Sequence, residues 1–379
     1  MSESGRAEGG RAERVLVAMS GGVDSSVAAA LLQAQGYDIV GVTLHLWDYP
    51  DDGSTKGRCC APEDVHDARR VADLLGFPHY AFDRRELFER EVVAPFVESY
   101  LAGETPSPCV RCNRGVKLRE LITLADRLEA PFIATGHYAR IALGAEGPQL
   151  LAARDLGKDQ SYFLHMLPAS TLARLMFPLG ELDKATVRAK AAELKLPGAH
   201  KGESQELCFV PTGRYDELVQ ARAPDRLRPG PIIGQDGRVL GQHTGVHRFT
   251  LGQRRNLGVA AGERRYVVDI DTESHAVHLG RKEELLQTSF EVEDLVLQAG
   301  VELPLSAEVV VRYRGQKTVA HATPGPNAGR ATVQLEQPVV APTAGQYAVF
   351  YAGDRVLGGG AIARVRPPGG KVERAHESG

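Results

Sequence analysis

The chain has 379 residues, enough for two or three domains of about 150 residues each. With 43% hydrophobic and 25% charged residues, and 41 Gly and 22 Pro in no regular period, it is neither wholly disordered nor collagen-like. The net charge is −3, with 24 Lys and Arg against 29 Asp and Glu in residues 1–210 and 21 against 19 in the rest, so any polyanion must be met by local patches.

Residues 1–13 are rich in Glu, Gly and Arg and lack an apolar segment; they read as a disordered tail rather than a secretory signal. No uncharged apolar run approaches the roughly 20 residues that span a bilayer, so no membrane association is expected. Strand and helix patterns then alternate. Val15 to Met19 is a short apolar run, Ser25 to Gln35 a helix and Ile39 to Leu46 a strand. Asp64 to Leu75 is helical, with Val65, Ala68, Val71, Ala72 and Leu75 on one face. His79 to Phe82 is a strand, Glu86 to Leu101 and Val116 to Leu128 are helices, and Phe132 to Thr135 is a strand. Repeated units of this length predict an α/β fold with a doubly wound parallel sheet. A hairpin pattern over Tyr138 to Arg154 and two helices to about Leu196 follow.

From about Pro211, Gly and Pro punctuate short β-rich stretches: Val239–Leu240, Tyr266–Ile270, Ala276–Leu279, Glu308–Tyr313, Ala331–Leu335 and Tyr347–Tyr351. That is the pattern of a small barrel or sandwich. The expected division is an α/β domain at 14–210, a small central domain at 211–280 and a C-terminal β-barrel at 281–379.

The sharpest local feature is the apolar run Val15 to Met19 entering Ser20-Gly21-Gly22-Val23-Asp24-Ser25-Ser26 and then a helix. Two glycines let the backbone turn tightly, and the helix N-terminus adds unpaired N–H donors and the positive end of its dipole. A plain N-cap would use the same residue types, but the whole heptapeptide between strand and helix favours an anion site. Asp24 would repel a phosphate unless it holds Mg²⁺ or orients the loop. Without Gly-Lys-Ser/Thr this is no Walker A loop. It resembles the pyrophosphate-binding loop of the N-type ATP pyrophosphatases, which split ATP to AMP and pyrophosphate to adenylate a carbonyl oxygen.

Five cysteines, Cys59, Cys60, Cys109, Cys112 and Cys208, form an odd set in a chain without an export signal, which points to a reducing, cytoplasmic setting. Cys59 and Cys60 read as structural or incidental. Cys109 and Cys112 lie in the Pro-rigid loop Thr105 to Lys117, where the following helix start and Arg111, Arg114 and Lys117 favour thiolate at Cys112. Cys208 is 96 residues further on, so only the fold can bring it near. Buried structural thiols are the alternative; a four-cysteine zinc site lacks its second Cys-x-x-Cys.

Together the Ser20 loop, Thr105 to Lys117, Ala134 to Ala139, Lys158 to Phe163, Leu207 to Phe209, Leu251 to Arg254 and Ala348 to Tyr351 resemble one family, the bacterial tRNA-specific 2-thiouridylases, in order along nearly the whole chain. The resemblance implies an ATP-dependent sulfurtransferase that adenylates O2 of the wobble uridine (position 34) and replaces that oxygen by sulfur. ATP with Mg²⁺ would lie on Ala18, Met19, Ser20, Gly21, Gly22, Val23, Asp24 and Ser25, with Leu44 and Gly136 on the adenosine side. Cys208 would carry a persulfide supplied by a cysteine desulfurase or a sulfur-relay protein, and Cys112 would be the nucleophile that ends in a disulfide with it. Ser107, Pro108 and Cys109 match the stretch that meets the target base, which must be turned out of its stack. His137, Lys158, Asp159, Gln160, Arg312, Tyr313 and Gln346 match tRNA-contacting positions.

One departure stands out. The better-known form of the family has aspartate where this chain has Cys109. Three cysteines, Cys109, Cys112 and Cys208, are a ligand set for a [4Fe-4S] cluster with one open iron, so a cluster route stays open beside the persulfide route. Residues 238–262 hold Arg238, Arg248, Arg254 and Arg255 with His243 and His247 and no carboxylate, a phosphate-contacting surface or merely a solvated face. Arg254 and Arg255 are the strongest candidates there for tRNA contact. Two other readings remain: an ATP- or redox-sensing RNA-binding protein without turnover, and another PP-loop ATP pyrophosphatase.

Overall fold

The computed structural model describes residues 12–48, 62–198, 207–210, 213–259 and 264–363. Cys59, Cys60 and most of the expected N-terminal tail lie outside them.

Five parallel strands form the first sheet: β1 (Arg14–Ala18), β2 (Asp38–His45), β3 (His79–Asp83), β4 (Phe132–Ala134) and, after the antiparallel hairpin β5 (Ala139–Gly144) and β6 (Gly147–Ala152), β7 (Leu175–Met176). Their order is β3-β2-β1-β4-β7. Val15, Leu16 and Val17 of β1 are fully buried, as expected where helices cover both faces of a parallel sheet. The chain leaves β1 towards β2 on one side and reaches β4 on the other, so the carboxyl ends of β1 and β4 flank the switch point where ligands bind in such sheets. The two-residue β7 is too short to leave a pattern in the sequence.

Helix α1 (Val23–Ala34) follows the glycine loop and α2 (Pro62–Leu75) packs beside it. Two longer helical segments change pitch midway. One runs Arg85–Phe88, Glu89–Val93 and Ala94–Leu101, and the other Pro108–Arg111, Cys112–Lys117 and Leu118–Arg127, the middle part of each being a π-turn. Such bulges concentrate at functional sites, and Cys112 opens the second one. Beneath them Phe209 meets Trp47, Phe88 and Phe96 edge-to-face at centroid distances of 6.1, 5.6 and 5.0 Å. This aromatic cluster anchors the segment that carries Cys208.

The central unit is a four-stranded sheet, order β10-β11-β8-β9, of β8 (Gly230–Ile233), β9 (Val239–His243), β10 (Tyr266–Asp271) and β11 (Ala276–Gly280). It is tied to the first domain by the helix Tyr215–Arg222, where Tyr215 stacks on Tyr100 at 4.3 Å. The last unit is a closed antiparallel barrel of β12 (Leu286–Leu297), β13 (Leu305–Val310), β14 (Thr318–Pro324), β15 (Ala331–Val340), β16 (Tyr347–Ala352) and β17 (Arg355–Ile362). β13 begins three residues before the stretch expected from sequence. β17 was hidden by Gly358-Gly359-Gly360, where the strand passes so close to β12 that a Cβ on Gly358 would overlap the Val296 carbonyl oxygen. The β5–β6 hairpin lies in sequence within the α/β domain, yet it joins the barrel sheet through Leu151 opposite Arg355.

His165 is fully buried at the seam between the α/β domain and the barrel. Its Nδ1–H donates to the Tyr162 carbonyl (2.7 Å), and Gln298 Nε2 of the barrel unit donates to the His165 carbonyl (2.9 Å). Burial holds its pKa down at about 4. The unfolded chain therefore binds more protons here between pH 6.5 and 4, and stability falls as the pH drops through that window, by about 1.4 kcal/mol per unit for one such histidine. Unfolding by denaturant at pH 7 and pH 5 should show a smaller pH dependence for His165→Gln than for the parent; parallel pH dependences would contradict this.

Candidate active site

At the carboxyl ends of β1, β2 and β4 a cavity of about 700 Å³ opens. The glycine loop forms one wall and organises itself: the Ser20 N–H donates to Ser25 Oγ (3.1 Å), while Ser25 Oγ and Ser26 Oγ donate to the Gly22 carbonyl (3.1 and 2.9 Å). Gly22 is the N-cap of α1 and no side chain caps it, so the serines serve the loop rather than the helix end. Gly21 has a φ of +70°, and a Cβ there would overlap the Asp64 carbonyl oxygen. Gly136, after β4, packs so closely that an added Cβ would stand 2.8 Å from the Ser25 nitrogen. Ala18, Met19, Ser20, Gly22, Val23, Asp24, Ser25, Leu44 and Gly136 all line the cavity.

Asp24 is not left to repel an anion. Lys184 Nζ bonds both carboxylate oxygens (2.7 and 2.8 Å), and Tyr138 Oη donates to Oδ1 (2.8 Å). Five cations, Lys117, Lys158, Lys184, Arg188 and Arg314, stand on the cavity wall against the carboxylates Asp24 and Asp64. The apolar side is made by Val42, Leu44, Leu46, Leu118 and Leu121. A flat base can lie against that side and a polyphosphate against the other.

The cysteine wall adjoins this space. Ser107, Pro108, Cys109 and Leu207 line the cavity, Cys112 is buried just behind, and Cys208 is half-buried. All three described cysteines are free thiols. The expectation of a thiolate at Cys112 is corrected: burial pushes its thiol up to about 11, against the opposing pull of the Lys117 ammonium and backbone N–H. Arg111 is exposed to solvent, and Arg114 is engaged with Asp294 (2.7 Å). Cys109 is likewise raised to about 11 by burial and by the nearby Cys208. Among the described residues no three His, Cys, Asp or Glu side chains converge as ligands for a metal ion, and Cys112 packs into the apolar core. Cys109 lies near both Cys112 and Cys208.

The barrel completes the cavity. Its Thr343–Gln346 turn holds the cysteine loop: the Thr105 N–H donates to the Ala344 carbonyl (2.9 Å), the Ser107 N–H to the Gly345 carbonyl (3.1 Å), and Gln346 Nε2 to the Thr105 carbonyl (2.8 Å). Tyr313 packs on Phe163 at 4.4 Å, and both rings face the cavity with His137, Lys158, Gln160 and Gln346. His137 bonds Thr135 Oγ1 (2.7 Å), and burial with Lys117 nearby pushes its pKa down to about 3, so it is neutral. Asp159 turns inward, accepting from the Ala153 N–H (2.9 Å) and Ser161 Oγ (2.8 Å). Arg312, beside Tyr313 in sequence, is exposed to solvent.

In the basic stretch of the central unit, His243 and His247 are buried, so the surface expected of them is corrected: their rings pack into the unit's interior. Arg238 lies near Asp236 and Arg248 near Asp216. Arg254 and Arg255 are exposed and make no ion pair among the described residues. They lie apart from the cavity wall.

Sequence reasoning missed Lys184, Arg188, Tyr138 and Asp64. Asp183 accepts the Thr186 N–H (2.7 Å) as the N-cap of the helix Lys184–Glu193, which puts Lys184 and Arg188 on one helical face. That much could have been read locally; the target of that face could not.

Comparison with known proteins places these features in a family. Residues 13–212 match the tRNA methyl transferase HUP domain, 217–281 the tRNA methyl transferase PRC-barrel domain and 287–362 the aminomethyltransferase beta-barrel domain. The chain is 59% identical over 353 residues to the tRNA-specific 2-thiouridylase MnmA of Sorangium cellulosum, covering 92% of each chain. It is 49% identical to that of Chloroflexus aggregans, over 92% of this chain and 98% of the other. Among solved structures, the U34-tRNA thiolase NcsA from Methanococcus maripaludis with its [4Fe-4S] cluster matches at 16% identity and a TM-score of 0.34, over 57% of this chain and 68% of that one. The cluster is a property of that protein.

Proposed function

The chain belongs to the tRNA-specific 2-thiouridylase family, and from that premise we propose how its cavity carries out the reaction. It is an ATP-dependent tRNA sulfurtransferase forming 2-thiouridine at the wobble uridine. One observation carries the mechanistic reading: the glycine loop, the cation set and Cys109 share one cavity, with Cys208 beside it.

ATP lies with its phosphates on residues 18–25 and its adenosine toward Leu44 and Gly136. Asp24 and Asp64 offer the hard oxygen donors that suit Mg²⁺, which would neutralise phosphate charge when bound. The flipped uridine enters beside Ser107, Pro108 and Cys109, against the Phe163 and Tyr313 rings. Its O2 attacks the α-phosphorus and pyrophosphate leaves. The terminal sulfur of a Cys208 persulfide then attacks C2, AMP departs, and the nucleoside is held to Cys208 through a disulfide. Cys112 attacks the Cys208 sulfur, releasing 2-thiouridine and leaving a Cys112–Cys208 disulfide. A two-electron thiol reductant restores both thiols. Because burial disfavours a Cys112 thiolate in this arrangement, the Lys117 ammonium is the group that eases its deprotonation. A cysteine desulfurase or a relay protein supplies the persulfide sulfur in the cytoplasm. Among the described residues no helix is long and apolar enough to cross a membrane.

Pyrophosphate release stimulated by wobble-uridine tRNA tests the reading; release indifferent to tRNA would favour another pyrophosphatase, and none at all a sensor. His137, Lys158, Gln160, Tyr313 and Gln346 contact the tRNA at the cavity mouth, with Asp159 shaping their loop and Arg312 beside Tyr313. Arg254 and Arg255 meet phosphates farther along. Replacing both arginines by alanine should weaken tRNA binding and reduce the slope of log affinity against log salt by about one for each phosphate no longer neutralised, measured by filter binding. An unchanged slope would move the RNA surface elsewhere.

A further inference from the structure

Sulfur transfer through Cys208 and Cys112 ends with both working thiols locked in a disulfide, and it leaves the third thiol of the site, Cys109, without a redox task. We propose that Cys109 is the resolving thiol that reopens that disulfide. It takes over Cys112, frees Cys208 for its next persulfide, and presents the resulting Cys109–Cys112 disulfide to a dithiol reductant. The assignment rests on the persulfide reading of the site.

Cys109 and Cys112 are one turn apart in the helical segment that begins at Pro108, where the Cys112 N–H donates to the Cys109 and Pro108 carbonyls. A rise of about 1.5 Å per residue puts their Cα atoms about 5 Å apart, inside the range of about 4.4–6.8 Å that a disulfide needs. The pair is held in place from the barrel side: the Thr105 N–H donates to the Ala344 carbonyl (2.9 Å) and the Ser107 N–H to the Gly345 carbonyl (3.1 Å). A Cys-x-x-Cys within an α/β pattern is also the sequence form of a dithiol redox pair.

The two thiols differ in access. Cys112 is 5% exposed and packs into the apolar core, so a Cys112–Cys208 disulfide keeps one sulfur out of reach of a reductant. Cys109 is half-buried, lines the open cavity and lies near Cys208. Once thiolated tRNA and AMP have left, the cavity gives a reductant a path to it. In the exchange the Cys109 thiolate attacks Cys112 Sγ. The Cys109–Cys112 bond forms, the Cys112–Cys208 bond breaks, and the electron pair stays on Cys208, which takes up the proton that Cys109 lost. No net oxidation or reduction occurs in that step. The dithiol reductant then attacks Cys109 Sγ, supplying two electrons and two protons and becoming a disulfide itself. Cys112 leaves as a thiolate beside the Lys117 ammonium and backbone N–H, which ease its charge.

The test maps disulfides after one turnover. The full chain, loaded with persulfide by a cysteine desulfurase and then freed of reductant, is mixed anaerobically with ATP, Mg²⁺ and wobble-uridine tRNA, alkylated, and digested for mass spectrometry. The parent should hold a Cys109–Cys112 disulfide with Cys208 alkylated, whereas Cys109→Ser should stop at Cys112–Cys208. On addition of dithiothreitol, Cys112 should become alkylatable about tenfold more slowly in Cys109→Ser than in the parent, because the reductant must then attack the Cys112–Cys208 bond directly. A spent parent that keeps Cys112–Cys208 with Cys109 alkylated would overturn the proposal, and so would equal recovery in the two proteins. The parent's map needs no variant, so the proposal can fail even where Cys109→Ser does not turn over. A parent that thiolates tRNA and finishes with all three thiols alkylatable would instead overturn the persulfide reading beneath it.

Discussion

Replacing Cys208 by serine should abolish 2-thiouridine formation, lowering the rate by about 10³-fold or more, while tRNA-dependent pyrophosphate release stays within a few-fold of the parent. A serine cannot carry a persulfide, whereas the adenylation machinery lies on the glycine loop. Cys112→Ser should block a later point: the tRNA should accumulate as an adduct disulfide-linked to Cys208, separable by a reducing agent. The structure supports the pairing through the fold rather than the sequence. Phe209, locked among Trp47, Phe88 and Phe96, holds Cys208 close to Cys109, one turn before Cys112. Mass spectrometry of the protein–tRNA species and of the released nucleosides reads both outcomes. Full thiolation by Cys208→Ser would remove the persulfide from the account.

Gly21→Ala should cost the enzyme its nucleotide site. At a φ of +70° a non-glycine residue is strained by about 1–3 kcal/mol, and the new Cβ would run into the Asp64 carbonyl oxygen, a backbone atom that cannot rotate away. The loop must shift, and with it the Ser20, Ser25 and Ser26 bonds that shape it. Pyrophosphate release is expected to fall about 100-fold, equivalent to about 2.7 kcal/mol, with the melting temperature lowered by a few degrees. Pyrophosphate release at the parent's rate would show that the loop does not hold the phosphates.

What the sequence disclosed and what it withheld follow the range of the interactions. The glycine loop was legible because strand, turn and helix lie within a dozen residues and each constrains the next. The alternation of strands and helices to Ala134 was legible for the same reason. The Asp24–Lys184 ion pair was not, because it joins residues 160 apart through helix packing, and no local pattern aims Lys184 at the loop. The Cys112 thiolate was misjudged in physical terms: local cations were counted, but the burial that outweighs them comes from the surrounding core. His243 and His247 look like surface histidines beside arginines, and only the packed interior of the central unit removes them from view. The β5–β6 hairpin reads correctly as a hairpin, yet its attachment to the barrel depends on Asp354 and Arg355, two hundred residues away.

The central claim is that one cavity adenylates a tRNA uridine and delivers sulfur to it. The measurement closest to that claim is nucleoside mass spectrometry of wobble-uridine tRNA after incubation with the full-length protein, ATP, Mg²⁺ and a persulfide-generating sulfur source. The account predicts 2-thiouridine formed at position 34, with one AMP and one pyrophosphate released per sulfur incorporated. ATP cleaved to AMP and pyrophosphate with the tRNA left unmodified would contradict it.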